Sequence, residues 1–134
     1  MNLIEKLLCV DKAKATEKET KKIKSKKLSK LVGEDAEITI RELSGKRYNT
    51  LQAMLFDKKG NRDINATYDF NLMCCVHGVV DPCLTDKNLM DHFGASTPKD
   101  LAAILFGMES GSIASEIIKL KKIKEDAEEE VKNS

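Results

Sequence analysis

Residues 66–82 read ATYDFNLMCCVHGVVDP and are the most apolar stretch of the chain. Between residues 66 and 80, apolar side chains occupy nearly every side of a helix, and a helix that is hydrophobic all round is buried. We therefore expect the central core helix here, ended by the Asp81–Pro82 pair because proline disfavours the helical conformation in the residue before it. The β-branched residues Val79 and Val80 leave a strand open as the alternative for the end of this stretch.

Capping residues downstream predict two short helices and a longer last one. The first helix should begin after the N-cap Thr85 and stop at Gly94. The second should have Thr97 as its N-cap, Pro98 at its first position and Gly107 at its end. The third should begin near residue 110. The second helix is expected to turn Leu101, Ile104 and Leu105 inward, and the third carries an apolar stripe of Ile113, Ile117 and Leu120.

Upstream of the core helix, residues 36–41 contain the best strand signal in the sequence. Ala36, Ile38 and Ile40 alternate with polar residues, which is the pattern of a half-buried strand. A helix should follow from Ser44, a residue type that accepts an otherwise unpaired backbone N–H at the start of a helix.

Two weaker signals complete the predicted fold. A short helical turn should end at Gly33, and one edge strand is expected near residues 20–24. The chain is therefore predicted to be mainly α with a minor β element, a small helical α+β domain with a short strand or hairpin near residues 18–42.

The two ends of the chain differ in character from its middle. Residues 2–10 are amphipathic, but so short a helix is unstable alone and must dock on the domain or on a partner. Residues 11–30 contain nine lysines and three acids, and we expect a solvated linker there. We divide the chain into an N-terminal amphipathic segment with its Lys-rich linker (1–30), a helical core domain (31–120) and a charged C-terminal helix end (121–134). The last is expected to fray, or else to become ordered on a partner.

Length and composition indicate one intracellular domain. A chain of 134 residues with a formal net charge of +1 can form a single core, and its charge does not mark it as a nucleic-acid or membrane protein. No segment is expected to approach the roughly 20 apolar residues of a membrane span, and the N-terminus does not resemble a signal peptide. The four cysteines lack the spacing of a secreted disulfide framework, so we expect a cytoplasmic protein.

One cluster, formed by Cys74, Cys75, His77 and Cys83, is the only candidate for a metal or thiol site. Adjacent cysteines on a helix point about 100° apart and cannot easily share one ion, whereas zinc sites pair cysteines across a tight turn. Gly-rich phosphate loops, nucleophile elbows and paired zinc histidines are absent from the sequence. We therefore expect no catalytic residue, no metal and no cofactor, in a protein that binds another protein.

Nucleic-acid binding is the second class of function that the sequence leaves open. The lysines of residues 11–30 could attract phosphates nonspecifically. This stretch has no aromatic side chain for base stacking and no arginine for bidentate base contacts. A nonspecific nucleic-acid-binding accessory protein that uses these lysines is therefore the alternative.

The order of several segments resembles the XkdN-like family of phage tail assembly chaperones. The most specific pieces are residues 78–82, Gly-Val-Val-Asp-Pro, and residues 93–101, Phe-Gly-Ala-Ser-Thr-Pro-Lys-Asp-Leu. The resemblance runs from the Leu-rich start to about Leu120 and includes residues 27–34 and the strand at 38–40.

This resemblance implies a non-enzymatic chaperone that binds the tape-measure protein and keeps it soluble until the tail tube polymerises around it. Tail-tube subunits are a second implied partner, whereas membranes and nucleic acid are not implied. The site of action would be the bacterial host cytoplasm, with the chaperone absent from the finished virion. A tape-measure protein is a long apolar helix, so the binding surface must be partly apolar, which also favours a homo-oligomer. The candidate contacts are Leu3, Leu7 and Leu8 near the start and Ile113, Ile117 and Leu120 on the last helix.

Overall fold

The computed structural model describes residues 1–120, and the expectations for residues 121–134 lie outside the described part. The α+β class predicted from the sequence is confirmed. The strands are β1 (Thr20–Lys24), β2 (Glu37–Arg41) and β3 (Val79–Asp81). The helices are α1 (Leu3–Leu8), α2 (Lys12–Ala15), α3 (Lys26–Val32), α4 (Gly45–Ala53), α5 (Thr67–Gly78), α6 (Lys87–Phe93), α7 (Pro98–Phe106) and α8 (110–120), with 3₁₀ turns at Ile64–Ala66 and Gly107–Glu109.

The strands form one antiparallel sheet in the order β1-β2-β3, so β2 lies in the middle. Ile23 of β1 pairs with Ile38 of β2, and Ile40 of β2 pairs with Val79 of β3 next to a register shift. Ile38 and Ile40 have no exposed surface, whereas the residues that alternate with them are less buried. The strand predicted from the alternation in residues 36–41 is therefore confirmed.

The core joins this sheet to helices α5, α7 and α8. The last residue of α5, Gly78, lies directly against Ile117 of α8. A Cβ atom on Gly78 would come within 2.5 Å of Ile117 Cδ1, so the close approach of the two helices requires glycine. The largest fully buried side chains are Phe106, Ile38, Ile40, Leu84, Leu101, Ile117, Cys74 and Cys75.

The end of the apolar stretch at residues 66–80 is a strand, which corrects the helix predicted there. The helix ends at Gly78, and Val79 continues in the extended conformation (φ −89°, ψ 117°). Val79 pairs with Ile40 and is buried in the core, as suits a β-branched side chain. The alternative that the sequence left open for Val79 and Val80 is the correct one.

Most helix ends lie where the capping residues predict them. The hydroxyl of Ser44 accepts a hydrogen bond from the backbone N–H of Arg47 at 3.1 Å, and the hydroxyl of Thr97 accepts one from Asp100 at 3.1 Å. Gly94 ends α6 with a positive φ of 69°, a conformation that glycine adopts without strain.

Two details differ from the prediction. The N-cap of α6 is Asp86 rather than Thr85, because the Asp86 carboxylate accepts a 2.8 Å hydrogen bond from the backbone N–H of Leu89. Ile104 does not face inward: it is 38% exposed, since Leu105 beside it takes the buried position on α7.

Glu109 fastens α3 to the junction between α7 and α8. Its carboxylate accepts hydrogen bonds from the hydroxyl of the fully buried Ser25 and from the backbone N–H groups of Lys26 (2.9 Å) and Lys27 (3.2 Å). These N–H groups belong to the unpaired donors at the start of a helix, where a negative charge is also favourable. Lys27 Nζ in turn donates to the backbone carbonyl of Ile104 at 2.6 Å.

The helical run Pro98–Leu120 is long and apolar enough to cross a membrane by length and composition alone. This corrects the expectation that no segment approaches that length. Much of the run is buried inside the protein, where Leu101, Phe106 and Ile117 have no exposed surface. Core helices pass the same test, so this run, which was found within residues 1–120, is weak support for a membrane span.

Candidate partner-binding surface

Helix α1 is not covered by the rest of the domain: every residue from 1 to 22 is exposed. Asn2 gives the helix a local start signal by accepting a 2.8 Å hydrogen bond from the backbone N–H of Glu5. The exposed fractions are 69% for Leu3, 58% for Leu7 and 81% for Leu8. The sequence left open whether this helix docks on its own domain or on a partner. Within the described residues, it does not dock on its own domain.

The other three candidate contacts, Ile113, Ile117 and Leu120, are core residues. Their exposed fractions are 2%, 0% and 3%, and Ile117 fills the space left by Gly78. The expectation that they are exposed apolar contacts is wrong, because the same helical stripe packs α8 on its own domain. Partner binding by the three leucines of α1 stays a prediction.

Exposed apolar side chains also occur at positions that the sequence analysis did not name. Leu31 and Val32 on α3 are 57% and 61% exposed, and Met108 in the turn before α8 is 87% exposed. Their hydropathy does not distinguish them from core residues, so no sequence signal could have separated them. Scattered exposed apolar residues are normal on protein surfaces.

The cysteines and histidine considered for a metal site do not converge. Cys74 and Cys75 have no exposed surface, whereas Cys83 is exposed. Within residues 1–120, no group of three or more histidine, cysteine, aspartate or glutamate side chains is placed to hold a metal ion. Burial raises the pKa of the Cys74 and Cys75 thiols to about 12, which keeps both neutral at neutral pH.

We expect Cys74 and Cys75 to resist alkylation by iodoacetamide in the folded protein at about pH 8, because alkylation requires an accessible thiolate. Cys83 should be alkylated readily, since it is exposed and a hydrogen bond with the Thr85 hydroxyl (3.1 Å) lowers the pKa of its thiol. Mass spectrometry of the labelled peptides gives the modified fraction at each cysteine. All four should react in denaturant, and rapid labelling of Cys74 in the folded protein would contradict its burial.

The lysine-rich residues 11–30 contain β1, and two of its lysines form ion pairs with other elements. Lys21 Nζ lies 3.1 Å from a Glu116 oxygen, and Lys24 Nζ lies 2.8 Å from an Asp35 oxygen. Exposed pairs of this kind contribute about 0–1 kcal/mol each. Lysines on an edge strand also discourage pairing with another chain, so this geometry does not specifically favour nucleic-acid binding.

The described residues thus define a small α+β protein whose distinctive surface is an uncovered apolar helix. The family model for the phage XkdN-like tail assembly chaperone protein matches residues 4–133. The chain therefore belongs to the XkdN-like family of phage tail assembly chaperones, as its sequence motifs indicate, and the role of this family in tail assembly is non-catalytic. No curated protein and no solved structure matches the chain.

Proposed function

We propose that this chaperone binds the tape-measure protein of its phage and keeps it soluble in the host cytoplasm until the tail tube forms around it. The observation that carries the proposal is the exposed apolar surface of α1, on which Leu3, Leu7 and Leu8 each expose more than half of their area. Tail-tube subunits are a second proposed partner, and the chaperone is proposed to be absent from the finished virion.

An uncovered amphipathic helix suits a long apolar client, because two such helices can bury their apolar faces against each other. Burying a leucine side chain contributes about 1.5–3 kcal/mol, so the three leucines of α1 would contribute about 4–9 kcal/mol before the cost of ordering. After that cost the net affinity is modest. An affinity of this size would allow the client to be released when the tube assembles.

We expect the variant Leu3→Ser/Leu7→Ser/Leu8→Ser to lose chaperone activity while keeping its fold. These side chains are exposed and contribute nothing to the described core, so the free energy of unfolding measured with urea should stay within about 0.5 kcal/mol of that of the parent protein. Losing three apolar contacts should lower the soluble fraction of a co-expressed tape-measure protein by about tenfold or more. Quantitative immunoblots of soluble and pelleted client measure this effect.

The matched control is Leu31→Ser/Val32→Ser, which removes comparably exposed apolar side chains from α3. This control should protect the client as well as the parent protein does. Equal client solubility with the parent and the triple α1 variant would assign the client contact to another surface. If the parent protein itself does not raise client solubility, the tape-measure proposal is wrong.

A further inference from the structure

The apolar face of α1 carries no charge. With 3.6 residues per turn, Leu3, Ile4, Leu7 and Leu8 fall within about 140° of the circumference of the helix, and its two charged residues fall on the remaining side. The exposed fractions of these four apolar side chains run from 58% to 81%. Two copies of this face can therefore meet without placing like charges against each other.

Helix α1 needs a surface to pack on. A helix of six residues is too short to be stable in water on its own. The described part of the chain does not cover it, since every residue from 1 to 22 is exposed. A second copy of the chain offers a face of the same chemistry, as twofold dimers do. The formal net charge of +1 on each chain gives little long-range repulsion between two copies.

The charges that follow α1 favour an antiparallel pair of helices. Residues 11–30 contain nine lysines and three acids. In a parallel pair, both lysine-rich stretches would leave at the same end and repel each other, whereas in an antiparallel pair they leave at opposite ends. The positive end of each helix dipole then also lies beside the negative end of the other.

The size of the face sets the strength of such a pair. A helix of six residues is about 9 Å long. Two helices of this length bury much less than the roughly 1,200–2,000 Å² of a stable interface. The pair should therefore be weak and reversible. A twofold pair also closes on itself, so each copy uses its apolar face once and no chain of copies grows.

We propose that the free chaperone pairs through α1 with a second copy of itself, in an antiparallel arrangement that covers the apolar face of both helices. The dimer itself does not depend on the client. Its role as a cover for the client-binding leucines rests on the proposed function. The measurements below contain no client, so their failure leaves the proposed function standing, and failure of the client-solubility experiment leaves the dimer standing.

Sedimentation velocity of the full chain tests the proposal. We expect a monomer at about 1 µM and a growing dimer fraction up to about 300 µM, as for a small interface. The variant Leu3→Ser/Leu7→Ser/Leu8→Ser should raise the dissociation constant of the dimer by about tenfold or more. The matched control Leu31→Ser/Val32→Ser should stay within about twofold of the parent protein. A parent protein that is monomeric throughout leaves α1 to the client or another partner and overturns the proposal, as does a dimer that the triple variant retains.

Salt separates an apolar contact from ion pairs between copies. Between about 50 and 500 mM NaCl, the dissociation constant of an apolar pair should change by less than about threefold, because screening acts on charges. A rise of about tenfold or more would assign the association to the lysines of residues 11–30 and the acids of the second copy, and it would overturn the proposal.

A spin label on Cys9, the C-cap of α1, locates the interface. The variant Cys83→Ser removes the other exposed thiol, and Cys74 and Cys75 are buried. With a helix separation of about 8–10 Å and an axial offset of about 10 Å, the two labelled Cα atoms lie within about 25 Å. Pulsed electron paramagnetic resonance at about 300 µM should therefore show label distances below about 35 Å, which the added α1 substitutions remove. A dimeric sample without such distances overturns the proposal.

Discussion

Replacing Glu109 with alanine is expected to lower the free energy of unfolding by about 3 kcal/mol. The carboxylate accepts hydrogen bonds from Ser25, Lys26 and Lys27, and its removal leaves the hydroxyl of Ser25 without this acceptor at a position with no exposed surface. Two backbone donors at the start of α3 also lose their acceptor, although these can turn to water in part. Urea unfolding followed by far-UV circular dichroism measures the change.

Two further variants separate the hydrogen bonds of Glu109 from its charge. Glu109→Gln keeps one acceptor oxygen, so we expect it to lose about half as much stability as the alanine variant. Glu116→Gln removes a carboxylate of the same helix region whose ion pair with Lys21 is exposed, and its cost should be within about 1 kcal/mol. If Glu109→Ala lowered the free energy of unfolding as little as Glu116→Gln does, the contact of Glu109 with α3 would contribute little to stability.

Replacing Gly78 with valine is expected to lower the free energy of unfolding by about 3 kcal/mol, the upper part of the usual range for overpacking a core. Even the first added carbon would lie 2.5 Å from Ile117 Cδ1 and 2.8 Å from Ile117 Cγ2. Ile117 has no exposed surface, so its side chain has no open space into which it can turn. Helices α5 and α8 must then separate, and thermal unfolding should show the loss.

The matched control is Gly45→Val, because a Cβ atom at Gly45 meets nothing within 4 Å. We expect that variant to stay within about 0.5 kcal/mol of the parent protein. The double variant Gly78→Val/Ile117→Ala should lose less unfolding free energy than the two single variants lose in sum. The smaller alanine makes room for the valine, and the valine fills the space that the isoleucine leaves. Strict additivity would show that the two residues do not compete for the same space.

The parts of the fold that follow from neighbouring residues could be predicted from the sequence. A cap such as Ser44 or Thr97 acts on an N–H three positions away, so its signal lies within one short window. The alternation of apolar and polar residues around Ile38 and Ile40 is equally local, and the strand that it predicts is present as β2. The family could also be recognised, because its motifs are contiguous segments.

Features that depend on distant residues could not be predicted. Val79 leaves the helix to pair with Ile40, a partner 39 positions earlier in the chain, so helical periodicity alone gave the wrong element. The hydrogen bonds of Glu109 join residues more than 80 positions apart and have no local pattern. The candidate surface could be predicted only in part. Amphipathic spacing indicated both α1 and the stripe that contains Ile117 as apolar surfaces. Only the assembled domain shows that α1 is exposed and that the stripe is buried.

The contact between Gly78 and Ile117 joins a helix from the middle of the chain to the last described helix, so it forms only late in synthesis. Of the described elements, α8 is the last to leave the ribosome, and until it does the face of α5 at Gly78 lacks the helix that packs on it. The nascent chain therefore carries an open apolar groove while its leading helix α1 is already free in solvent. Because a domain completes its core only when the last packing element arrives, we expect the incomplete chain to aggregate more readily than the finished protein.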